Sequence, residues 1–153
     1  MKKATVIIPN YNGMKFIKEC LESILNQDAD TPEYGVLVVD NGSKDKSPEL
    51  IASEFPQVDM ISLAENTGFC HAVNVGIQAA DTPYVILLNH DTRADSGFVK
   101  ALCHAIEAGP SAFSVSAKML MWDNPDLIDD AGDRYCVLGW AYARGKGKPA
   151  SGY

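Results

Sequence analysis

Three short, unbroken apolar runs, Val6-Ile7-Ile8, Val36-Leu37-Val38-Val39 and Tyr84-Val85-Ile86-Leu87-Leu88, each stop abruptly at a cluster of polar residues. Val36 to Val39, an apolar run without alternation, reads as an interior strand buried on both faces, and Tyr84 to Leu88 reads as a buried strand. Between the runs the apolar residues recur at helical spacing. Ile17, Cys20, Leu21, Ile24 and Leu25 form one stripe over roughly residues 14–27, with Lys15, Lys18, Glu19 and Glu22 turned the other way. Ser47-Pro48 opens a second helix, with the hydroxyl as N-cap and the proline at the first helical position, and Pro56 closes it. Phe69, Val73, Gly76, Ile77 and Ala80 make a third stripe, and a fourth helix spans about 96–107. Further strands are expected over Val58 to Leu63 and Phe113 to Met121. This alternation predicts an α/β domain with a mostly parallel sheet flanked by helices. Pro9 is expected to stop the first strand, and residues 123–153 read as irregular.

Composition removes several classes. With 153 residues, 46% hydrophobic and 22% charged, the chain can build one globular core. A net charge of -7 without clustered Lys or Arg argues against binding nucleic acid through its backbone. An anionic ligand would then need a metal ion or backbone N–H groups. Cys20, Cys70, Cys103 and Cys136 lie far apart with no C-x-x-C pair, so reduced core thiols and a cytoplasmic location are expected. No apolar stretch approaches the roughly 18 residues of a spanning helix, and Met1-Lys2-Lys3 leads into a strand rather than a signal-peptide core.

In open α/β sheets ligands gather at the carboxyl ends of the strands. Asn89-His90-Asp91-Thr92 follows the third run, and the Asp91 carboxylate is placed to bind a divalent cation. His90, alternating with Asp91, is expected to face away from that ion. Pro9-Asn10-Tyr11-Asn12-Gly13 follows the first run and offers an aromatic ring and amides, though the same residues suit a plain turn. It lacks the G-x-G-x-x-G of a dinucleotide site, which disfavours a dehydrogenase. Asp40 ends the second run. Its carboxylate can accept from a ribose hydroxyl or a pyrimidine imide, or close an Asx-turn over Asn41-Gly42-Ser43. In Glu65-Asn66-Thr67-Gly68-Phe69, Gly68 permits close approach of a ligand, while Asn66 or Thr67 could cap the helix that follows. His71 and Asn74 sit on the first turns of that helix.

Taken together, Val6 to Gly13, Val38 to Asp45, Asn66 to Phe69 with Asn74 and Gly76, and Leu87 to Thr92 resemble the ordered blocks of family 2 glycosyltransferases. The resemblance covers roughly residues 4 to 140. The Asn-x-Asp-Thr motif, with Ile128-Asp129-Asp130-Ala131-Gly132 and Arg144-Gly145-Lys146-Gly147, is similar to the rhamnosyltransferase-like branch. Such a resemblance implies a GT-A fold, a UDP- or dTDP-sugar donor, a Mg or Mn ion, and inverting transfer to a glycan or lipid-linked acceptor in cell-envelope polysaccharide synthesis. It also implies peripheral membrane association of the full-length protein. By position, Pro9, Tyr11 and Asp40 would hold the base and ribose. Asn12, Asn66, Gly68, Phe69, Asn74, Asn89 and His90 would surround the nucleotide sugar, and Asp91 would bind the metal.

The chain departs from the family pattern twice. Asn89 stands where the D-x-D motif begins with Asp, so one negative charge is missing beside the metal. No downstream Glu-Asp or Asp motif supplies the general base that inverting transfer needs. Asp123, Asp126, Asp129, Asp130 and Asp133 are candidates by chemistry alone. Residues 1–153 are therefore expected to be the donor-binding part, with the acceptor part and base beyond Tyr153 and an exposed sheet edge prone to self-association. Two rivals stay open. A non-catalytic sugar-nucleotide-binding module needs no base, and a nucleotidyltransferase would carry a Gly-rich, Arg/Lys-bearing loop after the first strand.

Overall fold

The computed structural model describes residues 1–152 and divides into two compact units, Met1–Cys103 and His104–Tyr153. The first unit alternates β1 (Ala4–Asn10), α1 (Ile17–Leu25), β2 (Tyr34–Asp40), α2 (Ser47–Glu54), β3 (Asp59–Ser62), α3 (Phe69–Ala79) and β4 (Tyr84–Leu87), and α4 (Phe98–Ala108) follows. All strand pairs in the sheet are parallel, in the order β3-β2-β1-β4. Successive side chains of a strand point to opposite faces. On one face Val6, Ile8, Val36 and Val38 pack with Ile17, Cys20, Leu21 and Ile24 of α1, Ile51 of α2 and Val99 of α4. On the other, Ile7, Leu37 and Val39 meet Ala72 of α3. The α3 helix can lie this close because residue 76 is glycine: a Cβ there would fall 2.4 Å from Ile7 Cγ2.

The strand arrangement corrects several expectations. β1 does not stop at Pro9 but continues to Asn10, with Pro9 opposite Val39 of β2. The Leu88 amide bonds the Ile7 carbonyl, so Pro9, two residues on, also turns its backbone toward β4, past the last paired residue of that strand. The missing N–H therefore removes no ladder bond. β4, expected to be buried, lies at the sheet edge, and Leu87 is 52% exposed on the α3 side. Phe69 and Ile77, assigned to the buried stripe of α3, are exposed, and Ala72, Val73 and Gly76 are the buried ones. Ser47 is the first residue of α2 rather than its N-cap, which is Lys46.

In the second unit the strand expected over Phe113 to Met121 shrinks to β5 (Met119–Leu120), which pairs antiparallel with β6 (Ile128–Asp130). The irregular segment contains a hairpin, β7 (Asp133–Tyr135) with β8 (Ala141–Ala143). All four cysteines are free; Cys20 and Cys103 are buried as expected, but Cys70 is exposed and Cys136 half-buried. Among the described residues no helix is long and apolar enough to cross a membrane.

Candidate functional site

The ends of β1 and β2 are tied together beneath the surface. Asn10 is 0% exposed, and its Nδ2 donates to Asp40 Oδ1 (2.8 Å) and Ser47 Oγ (2.9 Å), with Ser43 Oγ at 3.2 Å. Asp40, 3% exposed, also accepts from Ser43 Oγ (2.6 Å) through Oδ1 and from the Ser43 amide (3.1 Å) through Oδ2. This is the Asx-turn. Ser43 Oγ accepts from the Asn12 amide at 2.9 Å, while Asn12 Oδ1 accepts from the Lys44 amide at 2.8 Å. Asn12 adopts φ 51, a left-handed conformation that asparagine tolerates. Asp45 accepts from the Met14 amide (2.9 Å) and from the amide and hydroxyl of Ser47 (3.0 and 2.5 Å). Burial raises its pKa, but these donors outweigh it and hold the carboxyl below the usual range.

The turn after β4 is held from two sides. His90 Nδ1 lies 3.2 Å from the Pro9 carbonyl, joining this turn to the first loop. The Asn89 carbonyl accepts from Thr92 Oγ1 (2.7 Å) and from Cys20 Sγ (3.6 Å) of α1. Burial pushes the Cys20 thiol up to about 11, so it stays protonated and able to donate at neutral pH.

These loops surround an open cleft of about 260 Å³ at the carboxyl end of the sheet. The end of β1 lines it with Pro9 and Asn10, the first loop with Tyr11, the second with Asn41, the third with Asn66 and Phe69 at the start of α3, and the turn after β4 with Asn89, His90 and Asp91. Seven of the residues expected from sequence thus come together: Pro9, Tyr11, Asn66, Phe69, Asn89, His90 and Asp91. Four do not border it. Asp40 lies beneath the loops, Asn12 holds Lys44, and Gly68 and Asn74 are exposed elsewhere. His90 borders the same cleft as Asp91 instead of facing away, because β4 ends at Leu87 and strand alternation no longer applies at residues 89–91. Asn10 and Asn41 were missed, since asparagine in a loop reads first as a turn former. Gly13 is required where the first loop turns: a Cβ would sit 2.2 Å from Asn10 Oδ1 and 2.9 Å from His90 Cδ2.

Among the described residues no three His, Cys, Asp or Glu side chains gather as a ready-made metal cage. Asp91 alone brings a carboxylate to the cleft. That donor set fits an ion such as Mg²⁺, which commonly takes one or two carboxylates and completes its shell with substrate phosphates and water.

A parallel, helix-covered sheet with its cleft at the strand carboxyl ends defines an α/β domain of the GT-A type. Residues 5–124 match the model of glycosyl transferase family 2, and the chain belongs to that family. It is 36% identical over 95 residues to the teichoic acid poly(glycerol phosphate) polymerase of Staphylococcus epidermidis, covering 60% of this chain and 13% of that protein. The TarS 1-349 crystal structure from S. aureus superposes with a TM-score of 0.63 at 24% identity, over 77% of this chain and 39% of that one. The mannosyltransferase PcManGT of Pyrobaculum calidifontis, solved with GDP-Man and Mn2+, gives 0.60 at 26% identity, over 78% and 35%. The chain therefore spans well under half the length of each of these relatives.

Proposed function

We propose that this chain binds the donor in a metal-dependent, inverting sugar transfer, taking a UDP- or dTDP-sugar and serving transfer to a glycan or lipid-linked acceptor of the cell envelope. The observation that carries this reading is one continuous cleft in which the Tyr11 ring, the Asn66 amide and the Asp91 carboxylate meet at the strand ends. An aromatic face suits a base, amides suit ribose and phosphate oxygens, and a lone carboxylate suits an ion shared with a diphosphate. Asp91, with Asn89 beside it, would hold Mg or Mn. Bound there, the ion would neutralise charge developing on the leaving diphosphate. Asp40 supports the site from below by fixing the loop of Asn41 to Ser43, and direct contact with the base remains part of the proposal for Pro9 and Tyr11.

The reading extends to the rhamnosyltransferase-like branch through Asn89 to Thr92, and to peripheral attachment at the inner membrane face. It assigns the general base to no residue of the first unit. In the second, Asp129 pairs with Lys146 at 2.7 Å and Asp130 accepts from the Gly132 amide, so these two carboxylates already have structural duties. Calorimetric titration with UDP, dTDP and ADP, with and without Mn²⁺, tests the reading. Metal-dependent binding that favours the pyrimidine nucleotides is expected, and equal or absent binding of all three would refute it.

A further inference from the structure

The loop from Ala64 to Phe69 is exposed at every residue, so no buried apolar side chain anchors it. Its position comes from the residue that follows β2. Asn41, 4% exposed, accepts from the Thr67 amide (2.9 Å) and hydroxyl (3.0 Å) through Oδ1, and donates to Asn66 Oδ1 (3.1 Å) and the Gly68 carbonyl (3.2 Å) through Nδ2. A primary amide has two donors and two acceptor sites, and all four are spent on this loop. Next to it, Gly42 has φ +73, and a Cβ there would lie 2.6 Å from the Glu65 backbone, so the two loops touch main chain to main chain. The start of α3 has no side-chain cap of its own: Gly68 is its N-cap residue.

We propose that Asn41 is a positioning residue that presets the Asn66–Phe69 loop as one wall of the cleft before a nucleotide arrives. Its functional half rests on the nucleotide reading given above. Asn41 borders the cleft but has no hydrogen-bonding capacity left for a ligand, so it acts through Asn66 and Phe69 rather than by contact. Without it the loop samples other conformations, and a ligand that needs one of them binds with its affinity reduced by the fraction of time that conformation is present. Asn41→Asp keeps both acceptor sites but sets a carboxylate oxygen against Asn66 Oδ1 and the Gly68 carbonyl, and should behave like Asn41→Ala.

Hydrogen exchange of the ligand-free chain reads the positioning directly. In Asn41→Ala the Thr67 amide should lose its protection while the Asn41 amide, bonded to the Asn10 carbonyl, keeps its own through the backbone. Calorimetry with UDP and Mn²⁺ reads the functional half: affinity should fall roughly tenfold in both Asn41 variants. In an Asn66→Ala background the same substitution should cost no more than about twofold, because the two residues act as one unit. Unchanged Thr67 protection would overturn the proposal. Fast exchange with unchanged UDP affinity would overturn it too, leaving Asn41 a purely structural residue, and additive losses would mean that it contacts the ligand itself. Failure of the unsubstituted chain to bind UDP would refute the nucleotide reading, and with it the functional half only.

Discussion

Asn10 and Asp40 face each other at the last register position of β1 and β2, and their buried side chains are joined by a 2.8 Å hydrogen bond. Asn10 borders the cleft and Asp40 does not, so a buried bond ties the wall of the cleft to the loop that follows β2.

Asp40→Ala should therefore lower stability by about 1–3 kcal/mol, since Asn10 Nδ2, the Ser43 amide and Ser43 Oγ all lose an acceptor. Urea denaturation measures this. Nucleotide titrations on the same variant separate two roles: a loss confined to UDP and dTDP would mean a base contact, and an equal loss with ADP a loop displaced as a whole.

Asp91→Asn should leave the fold unchanged, because the side chain is exposed at a turn. It should abolish the Mn²⁺-dependent part of UDP affinity, a loss of about tenfold or more. The check is calorimetry with and without metal. Unaltered metal dependence would remove Asp91 from the site.

Gly76→Ala places a methyl 2.4 Å from Ile7 Cγ2 and 3.2 Å from Val39 Cγ2, in a contact with no slack. The overpacking should cost about 1–3 kcal/mol by urea denaturation. It should also weaken nucleotide binding, as Phe69 begins the helix that is pushed off the sheet.

Asp45 has a folded-state pKa below its unfolded value, so it stabilises the fold above about pH 4, and that contribution fades as pH falls through the folded pKa. Asp45→Asn should be less stable than the parent chain at pH 7. The gap should narrow as the pH is lowered below about 4 and the carboxyl becomes protonated, which denaturation curves measured across that range will reveal.

The parallel sheet was legible because short apolar runs alternate with helical stripes, although β4 shows that an unbroken apolar strand can still leave one face open. That Asp91 and Tyr11 border the cleft was legible because each follows a short apolar strand. Other features depend on neighbours that the local pattern does not contain. Whether β1 can run through Pro9 is decided by where β4 ends, and whether Val85 and Leu87 are covered is decided by which strands α3 packs over. Asp40 satisfied both readings offered for a strand-end carboxylate, and only the positions of Asn10 and Ser43 show that its oxygens are occupied within the chain. Asn41 was hidden by distance, its partners lying 25 to 27 residues away. The hairpin of β7 and β8 escaped because its strands are three residues long and its turn relies on Gly139 at φ 95.

The pairing of β1 with β4 sets the order in which the cleft can come into being. Ala4 meets Tyr84, 80 positions later in the chain, whereas its other partner, Tyr34, is only 30 away. At roughly 5–20 residues per second, a ribosome needs about 4–16 s to bridge that larger gap. During this interval β1 can pair with β2 and the Asn10–Asp40 bond can form, while the open side of β1 waits for a strand not yet made. Asp91 is thus the last part of the cleft to be synthesised, and the newborn chain acquires the one carboxylate that borders the cleft only after the loops around it have had time to settle.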